Sequence, residues 1–381
     1  MLAETAAGGK KLKTLGLYIH IPFCLSKCRY CDFCSFPHPK QDRVINYLSQ
    51  IFEEIEEYGR VYSEYTVNTV YFGGGTPTLL KADELCDLLG KIKKCFHVTS
   101  DAEISIECNP ATADVEYFKQ IRLGGFNRLS IGIQSMNDSE LRLLGRLHKA
   151  EDAKKAFFDA RQAGFDNISV DVMYGIPDQT AESLSETLAA ICALSPEHIS
   201  LYGLKIEDGT HFAKHKDELK LPNEDEEYEM YISSSKLLAT AGYGKYEISN
   251  FSKVGRYSRH NLKYWQREDY LGIGLAAHSC IGNRRFSATC DIEKYLNGES
   301  LDTDEIISNH DILSEKIMLG MRLGKGIDFD ALGSEAQSYK QKLERYISSG
   351  HVKKIGNSLS FTDEGMYISN YILSEILDFE G

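Results

Sequence analysis

Residues 19–36 read IHIPFCLSKCRYCDFCSF, and three of their cysteines, Cys24, Cys28 and Cys31, form a CxxxCxxC run directly after an apolar, strand-like stretch. Soft thiolate ligands therefore sit on one loop at the end of a strand. Thiols held so close cannot readily pair with one another as disulfides, and clusters of this kind are ligand sets for zinc or iron-sulfur centres. A zinc ribbon would need a second cysteine pair at matched spacing. Cys86, Cys95, Cys108, Cys192, Cys280 and Cys290 are instead scattered singly. The spacing also differs from the CxxCxxC run of bacterial ferredoxins.

Outward from this loop, Thr14 to about Gly242 alternates short β-rich runs with amphipathic stretches, the mark of repeated βα units around a parallel sheet. The strands predicted are Leu15 to Ile21, Thr69 to Phe72, Glu103 to Glu107, Arg128 to Ile133, Ile168 to Met173 and His198 to Leu204. Between them, apolar residues recur at helical spacing, as in Val44, Tyr47, Leu48, Ile51 and Ile55. Six repeats are too few to close an eight-stranded barrel, which leaves an open doubly wound sheet or a partial barrel. Either would bind its ligand at the carboxyl ends of the strands.

All 8 prolines lie at or before Pro222, and the composition changes beyond that point. An extended segment, Tyr246 to Phe251, precedes RHNLKYWQREDYLGIGLAAHS, and a helix-rich tail follows. The tail predicts a helix over Asp311 to Leu323, another over Glu335 to Ser349, a two-strand wing over Val352 to Phe361, and a helix over Asp363 to Leu377. This is a winged-helix pattern. Asp328, Asp330, Glu335, Asp363, Glu364 and Glu375 make it acidic, which favours a lid or partner-docking role over DNA binding. Three units are thus expected: 1–245, an extension over 246–305, and a winged-helix-like domain over 306–381.

Several polar residues fall at the predicted strand ends. Gly73, Gly74 and Gly75 in FGGGTPT remove side chains so that backbone amides can approach a ligand closely. Glu107 ends the third strand, Gln134 follows the fourth, Asp171 lies within the fifth, and Arg146 follows on the helical segment after Gln134. A carboxylate inside an apolar strand is costly to bury without a partner, so these residues are expected to face a polar cavity.

The cysteine spacing resembles that of the radical S-adenosylmethionine (SAM) superfamily. YIHIPFC, FGGGTPT, IECNP, SIGIQS, LGRLH, DVMYGIP and HNLKYW resemble, in order and spacing, its coproporphyrinogen oxidase-like branch over nearly the whole chain. The resemblance implies an α/β fold with a partial (β/α)6 barrel followed by the winged-helix-like domain. It implies that Cys24, Cys28 and Cys31 hold three irons of a [4Fe–4S] cluster whose fourth iron is left for SAM. It further implies SAM contacts at Tyr18, Gly74, Gly75, Thr76, Glu107, Gln134, Arg146 and Asp171, with Tyr30 packing near the adenine. A carboxylate for ammonium or ribose hydroxyls and an arginine for the carboxylate make physical sense of that set.

The branch contains both an oxygen-independent oxidase, with a long N-terminal arm and CxxxCxxCxC, and haem chaperones of the HemW type. Here the motif begins at Cys24 and Phe33 stands two residues after the third ligand, both as in the chaperones. The HNxxYW motif of those chaperones appears as His260, Asn261, Tyr264 and Trp265. That implies haem as a further cofactor, with His260 as a haem contact and His278 as a competing ligand, since imidazole suits haem iron and aromatic faces suit a porphyrin. Cys34 departs from the chaperone pattern, which carries asparagine there. It reads as a small buried residue, ahead of an extra ligand or a redox-sensitive thiol. The resemblance implies radical SAM-type cofactors without coproporphyrinogen oxidase activity, no assigned catalytic residue, and haem-accepting membrane or respiratory proteins as partners. It leaves room for peripheral membrane contact and for a homodimer. The alternatives are a catalytic porphyrin-acting radical SAM enzyme, either a decarboxylase of coproporphyrinogen III or a haem-modifying methyltransferase relative, and a redox-sensing winged-helix regulator.

Composition bounds these readings. The 381 residues carry a net charge of −13, which disfavours nonspecific nucleic-acid binding, and no apolar run approaches the roughly 20 residues that span a bilayer. The first residues are too weakly apolar for a secretory signal, so a cytoplasmic location is expected.

Overall fold

In the first strand, β1 (Lys13–Ile21), Leu15, Leu17, Ile19 and Ile21 are fully buried and Tyr18 is partly covered. Burial on both faces is what a strand inside a parallel sheet requires. The computed structural model describes residues 13–377, so most of the N-terminal stretch whose low hydropathy argues against a secretory signal lies outside the described residues.

Numbered in chain order, the main sheet continues with β2 (Tyr65–Gly74), β3 (His97–Cys108), β4 (Arg128–Gln134), β5 (Ile168–Tyr174) and β6 (His198–Gly203). These six pair in parallel and in sequence order, each followed by helical structure, as the six repeats predict. β3 starts six residues earlier than its apolar pattern indicates. Its leading residues His97 and Val98 pair with Thr66 and Val67 of β2 and form the ladder while open or partly open to solvent.

Residues 244–306 contribute strands to this same sheet. β7 (Gly244–Lys245) and β8 (Asn250–Ser252) add antiparallel beside β6. At the other end β9 (Tyr270–Ile273) pairs with β1 as a seventh parallel strand, and β10 (His278–Ile281), β11 (Arg284–Ala288) and β12 (Leu301–Ile306) extend it antiparallel. A four-residue strand such as β9 is too short to show alternation in sequence.

The motif helix Arg259–Trp265 packs against the interior of the barrel. A Cβ on Gly16 of β1 would lie 2.8 Å from Lys263 Cδ and 3.3 Å from His260 Cε1, so only glycine admits the helix there. The C-terminal residues build a second core around Ile317, Phe329, Leu343, Phe361 and Ile372, with a three-stranded sheet of β13 (Ile327–Asp328), β14 (Val352–Ile355) and β15 (Ser358–Phe361). The predicted helix over Asp363 to Leu377 is two helices, Asp363–Tyr367 and Ser369–Ile376. Arg322 draws the chain in at the break, donating to the Ser369 hydroxyl (3.2 Å) and to Asn370 Oδ1 (2.6 Å). Lys245 joins the two cores through Asp363 at 2.9 Å. Among the described residues no helix is long and apolar enough to cross a membrane.

Candidate cofactor site

The carboxyl ends of the parallel strands open into one cavity of about 390 Å³. One wall is the loop after β1, with Cys24, Cys28 and Cys31; Cys24 is buried and the other two are half-buried. The loop is held at its start by Gly75 N–H donating to Ile21 O and Thr76 N–H to Phe23 O, each at 2.8 Å. The Thr76 hydroxyl lies 3.7 Å from Cys24 Sγ. A Cβ on Gly75 would meet Phe23 O at 2.7 Å, so this close approach demands glycine. Burial raises the Cys24 thiol, and burial raises Cys31 to about 11. Among the described residues no three His, Cys, Asp or Glu side chains converge on a position for a single metal ion. The three thiols stand along one wall of the cavity.

Opposite them stand two carboxylates. Glu107 accepts from the Tyr71 hydroxyl (2.9 Å) and the Gly74 N–H (3.1 Å), and burial, reinforced by Asp171, raises it to about 7. Asp171 accepts from the Ser130 hydroxyl at 3.1 Å and is raised chiefly by burial. Arg146 bridges the two sides. Its Nη1 lies 3.5 Å from Cys28 Sγ and its Nη2 donates to Gly132 O at 2.6 Å, while its buried Nε has no hydrogen-bond partner. Gln134 lines the same cavity from the end of β4 with φ 71, a left-handed conformation that a glutamine holds only where its surroundings enforce it. Tyr30 closes the cavity near Arg146.

The structure thus brings together Cys24, Cys28, Cys31, Tyr30, Gly74, Gly75, Thr76, Glu107, Gln134, Arg146 and Asp171 around one space. It also lines that space with Tyr71, Asn109, Arg128, Tyr202 and Lys205, which the sequence reading does not assign, and with Asn261 of the HNxxYW motif. Alternation could have found Tyr71, which shares a strand face with Thr69 and Gly73, and Tyr202, which shares one with Ser200.

Three residues have surroundings that the sequence does not predict. Tyr18 does not line the cavity: its ring stacks on Tyr71 and its hydroxyl bonds His20 Nδ1 at 3.1 Å. His20 Nε2 must carry the proton it donates to Cys34 O (2.9 Å), so Nδ1 accepts from Tyr18. His260 is fully buried, with Nδ1 on the Thr69 hydroxyl (2.9 Å) and Nε2 on the Tyr264 hydroxyl (2.8 Å), and its backbone N–H donates to Glu103. Both ring nitrogens are occupied inside the barrel, and burial lowers the imidazole to about 3. Its side chain joins the motif helix to β2. Cys34 is not a lone buried thiol, because it is disulfide-bonded to Cys290.

Comparison with known proteins fits this architecture. The profile of the radical SAM superfamily matches residues 18–191 and that of the HemN C-terminal domain matches residues 307–368. The heme chaperone HemW of Haemophilus influenzae is 36% identical over 97% of this chain and 100% of its own length. Those of Bacillus subtilis and Escherichia coli are 33% and 32% identical over 94% and 96% of this chain and 98% and 99% of their own. Among solved structures, coproporphyrinogen III oxidase (HemN) from Escherichia coli, a radical SAM enzyme, superposes with a TM-score of 0.83 over 96% of this chain and 90% of its own at 23% identity, a likeness of fold. On relatives matched end to end, with the strand-end cavity and winged tail in place, the chain belongs to the heme chaperone HemW family, built on a radical SAM core.

Proposed function

We propose that this protein is a cytoplasmic haem chaperone whose core holds a [4Fe–4S] cluster and SAM, and which binds haem and passes it to membrane-associated haem proteins of the respiratory kind. The observation that carries the reading is the near full-length match to chaperones of that name. Cys24, Cys28 and Cys31 would hold the cluster. The CxxxCxxC spacing, with no second cysteine pair at matched spacing elsewhere in the sequence, favours a cluster over a zinc ribbon. When bound, such a cluster would supply an iron with coordination positions left for SAM.

The cavity residues fit that cargo. Glu107 and Asp171, buried and facing one space, are suited to an ammonium or to ribose hydroxyls, and the unpartnered Nε of Arg146 is available to a carboxylate. Tyr30 offers an aromatic face. We place the division of labour at the units 1–245, 246–305 and 306–381, with the last as a partner-docking element.

The experiment is anaerobic reconstitution followed by haem titration, with porphyrin products assayed in the same tube. Stable haem binding without product supports the chaperone. Decarboxylation of coproporphyrinogen III with SAM consumed in proportion would replace it by the enzymatic reading.

A further inference from the structure

The end of the cysteine loop is fastened to a part of the chain far away in sequence. Cys34, three residues after Cys31, is bonded to Cys290 across 256 residues, with the two Cα atoms 6.0 Å apart. The anchor is firm. Cys290 follows Thr289, whose N–H donates to Ser300 O at 2.7 Å, and precedes Asp291, which caps the helix Ile292–Leu296 with two accepted hydrogen bonds. That helix buries Ile292 and Tyr295 in the main core.

Between its ends the loop is tied at Arg29, whose N–H donates to Leu144 O and whose carbonyl accepts from Phe212 N–H, each at 3.0 Å, while many of its side chains are open to solvent. Leu25, Lys27, Arg29, Asp32 and Phe33 are exposed, Phe33 by 62%. Lys27, Asp32 and Phe33 also line the cavity. A covalent link at Cys34 therefore adds to the ties at Arg29 and Cys28 and limits how far the last part of the cysteine wall, Cys31 to Phe33, can swing out. Cys290 is exposed and Cys34 half-buried, so a small thiol has access to the Cys290 sulfur. Disulfides of reducing compartments are characteristically transient or redox-sensing.

We infer that Cys34 and Cys290 are a reversible redox pair that clamps the cysteine loop to the sheet extension, an inference that rests on the proposed function for its reducing surroundings and for its effect on a cluster. Formation consumes one small-molecule disulfide, RSSR: both thiols lose their protons, the Cys34–Cys290 bond forms, and two RSH leave. In the reverse direction a thiolate RS⁻ attacks Cys290 Sγ and expels the Cys34 thiolate, which takes a proton. A second RSH then releases Cys290 as a thiol and RSSR as product, so two electrons reduce the protein disulfide and oxidise two small thiols.

The test needs no bound cofactor. The full-length protein is equilibrated with graded mixtures of reduced and oxidised glutathione, alkylated and mapped by mass spectrometry, with trypsin cleavage after Lys27 and Arg29 timed in parallel. The expected result is that Cys34 and Cys290 become protected together as one intramolecular crosslink. Cleavage in the loop should then run at least about threefold faster in the reduced protein and in both Cys34→Ser and Cys290→Ser. No crosslink at any mixture, or equal cleavage in oxidised and reduced protein, overturns the clamp. With reconstituted protein, iron loss to a chelator should accelerate equally in the two variants. Cluster loss in Cys34→Ser but not in Cys290→Ser would overturn the clamp by making Cys34 a ligand. Failure of every form to take up iron counts against the cofactor reading alone, since the crosslink and cleavage results are read without it.

Discussion

Arg146 places Nη1 3.5 Å from Cys28 Sγ and Nη2 2.6 Å from the carbonyl of Gly132, so one guanidinium ties the cysteine loop to the end of β4. Its Nε–H is buried and unpartnered. A donor held in place by the other two nitrogens can serve a carboxylate, and an ammonium in its place would keep the charge and lose that placement. Arg146→Lys is therefore expected to bind SAM more weakly by about 1.5–3 kcal/mol while retaining the fold. Calorimetry on reconstituted protein reads this; equal affinity in the two forms would remove Arg146 from the SAM contacts.

Each of Cys24→Ala, Cys28→Ala and Cys31→Ala is expected to abolish the broad visible absorption and most bound iron and sulfide after anaerobic reconstitution. Three thiols line the cavity and Cys34 is directed to Cys290. Cys34→Ala should keep the absorption. A variant lacking Cys24 with a full iron complement would refute this ligand set.

Glu107 links the site to pH. Its ordinary value of 4.5 is raised to about 7, first by burial and then by Asp171. Below pH 4.5 folded and unfolded chains both hold the proton. Between 4.5 and about 7 the unfolded chain releases it while the folded chain keeps it, so this group lowers stability as pH rises through that window, by on the order of 3 kcal/mol in all. Glu107→Gln should flatten that part of the profile, measured as denaturant midpoints from pH 4 to 8. A cationic ligand reverses the preference, because it binds the ionised form. SAM affinity should then rise toward pH 7 with release of up to one proton per SAM, and lose that dependence in Glu107→Gln. A parent protein with pH-independent SAM binding would count against contact with Glu107.

How much of this could be read in advance depends on the range of the interactions involved. The strand-end residues Glu107, Gln134 and Asp171 were legible because a polar group closing an apolar strand is a local signal. Gly75 was legible as a glycine but not as the residue that meets Phe23 O. The Cys34–Cys290 bond joins residues 256 apart, and no spacing rule reaches that far. Tyr18 and His260 illustrate a different limit. Their residue types suit a ligand, yet each faces another side chain, His20 and Thr69 respectively, and only the packing of β1 and β2 against the motif helix decides that. β9 was hidden by its shortness.

The location of His260 leads to a last prediction. A haem iron needs a neutral imidazole nitrogen that it can approach. His260 is held neutral by burial, but Thr69 and Tyr264 occupy its nitrogens and Tyr71 stacks on its ring at 5.2 Å. Reaching it would mean breaking two buried hydrogen bonds and displacing the helix Arg259–Trp265. His260→Ala is therefore expected to lower stability by about 2–4 kcal/mol, through lost hydrogen bonds and an unfilled space, while the Soret band per folded molecule stays where it was. His278, exposed on β10, is open to a planar ligand. His278→Ala should shift the Soret band or weaken haem binding with little change in stability. Haem titrations of both variants, run well below their melting temperatures, decide the matter: loss of haem in His260→Ala with full retention in His278→Ala would require the motif helix to open when haem binds.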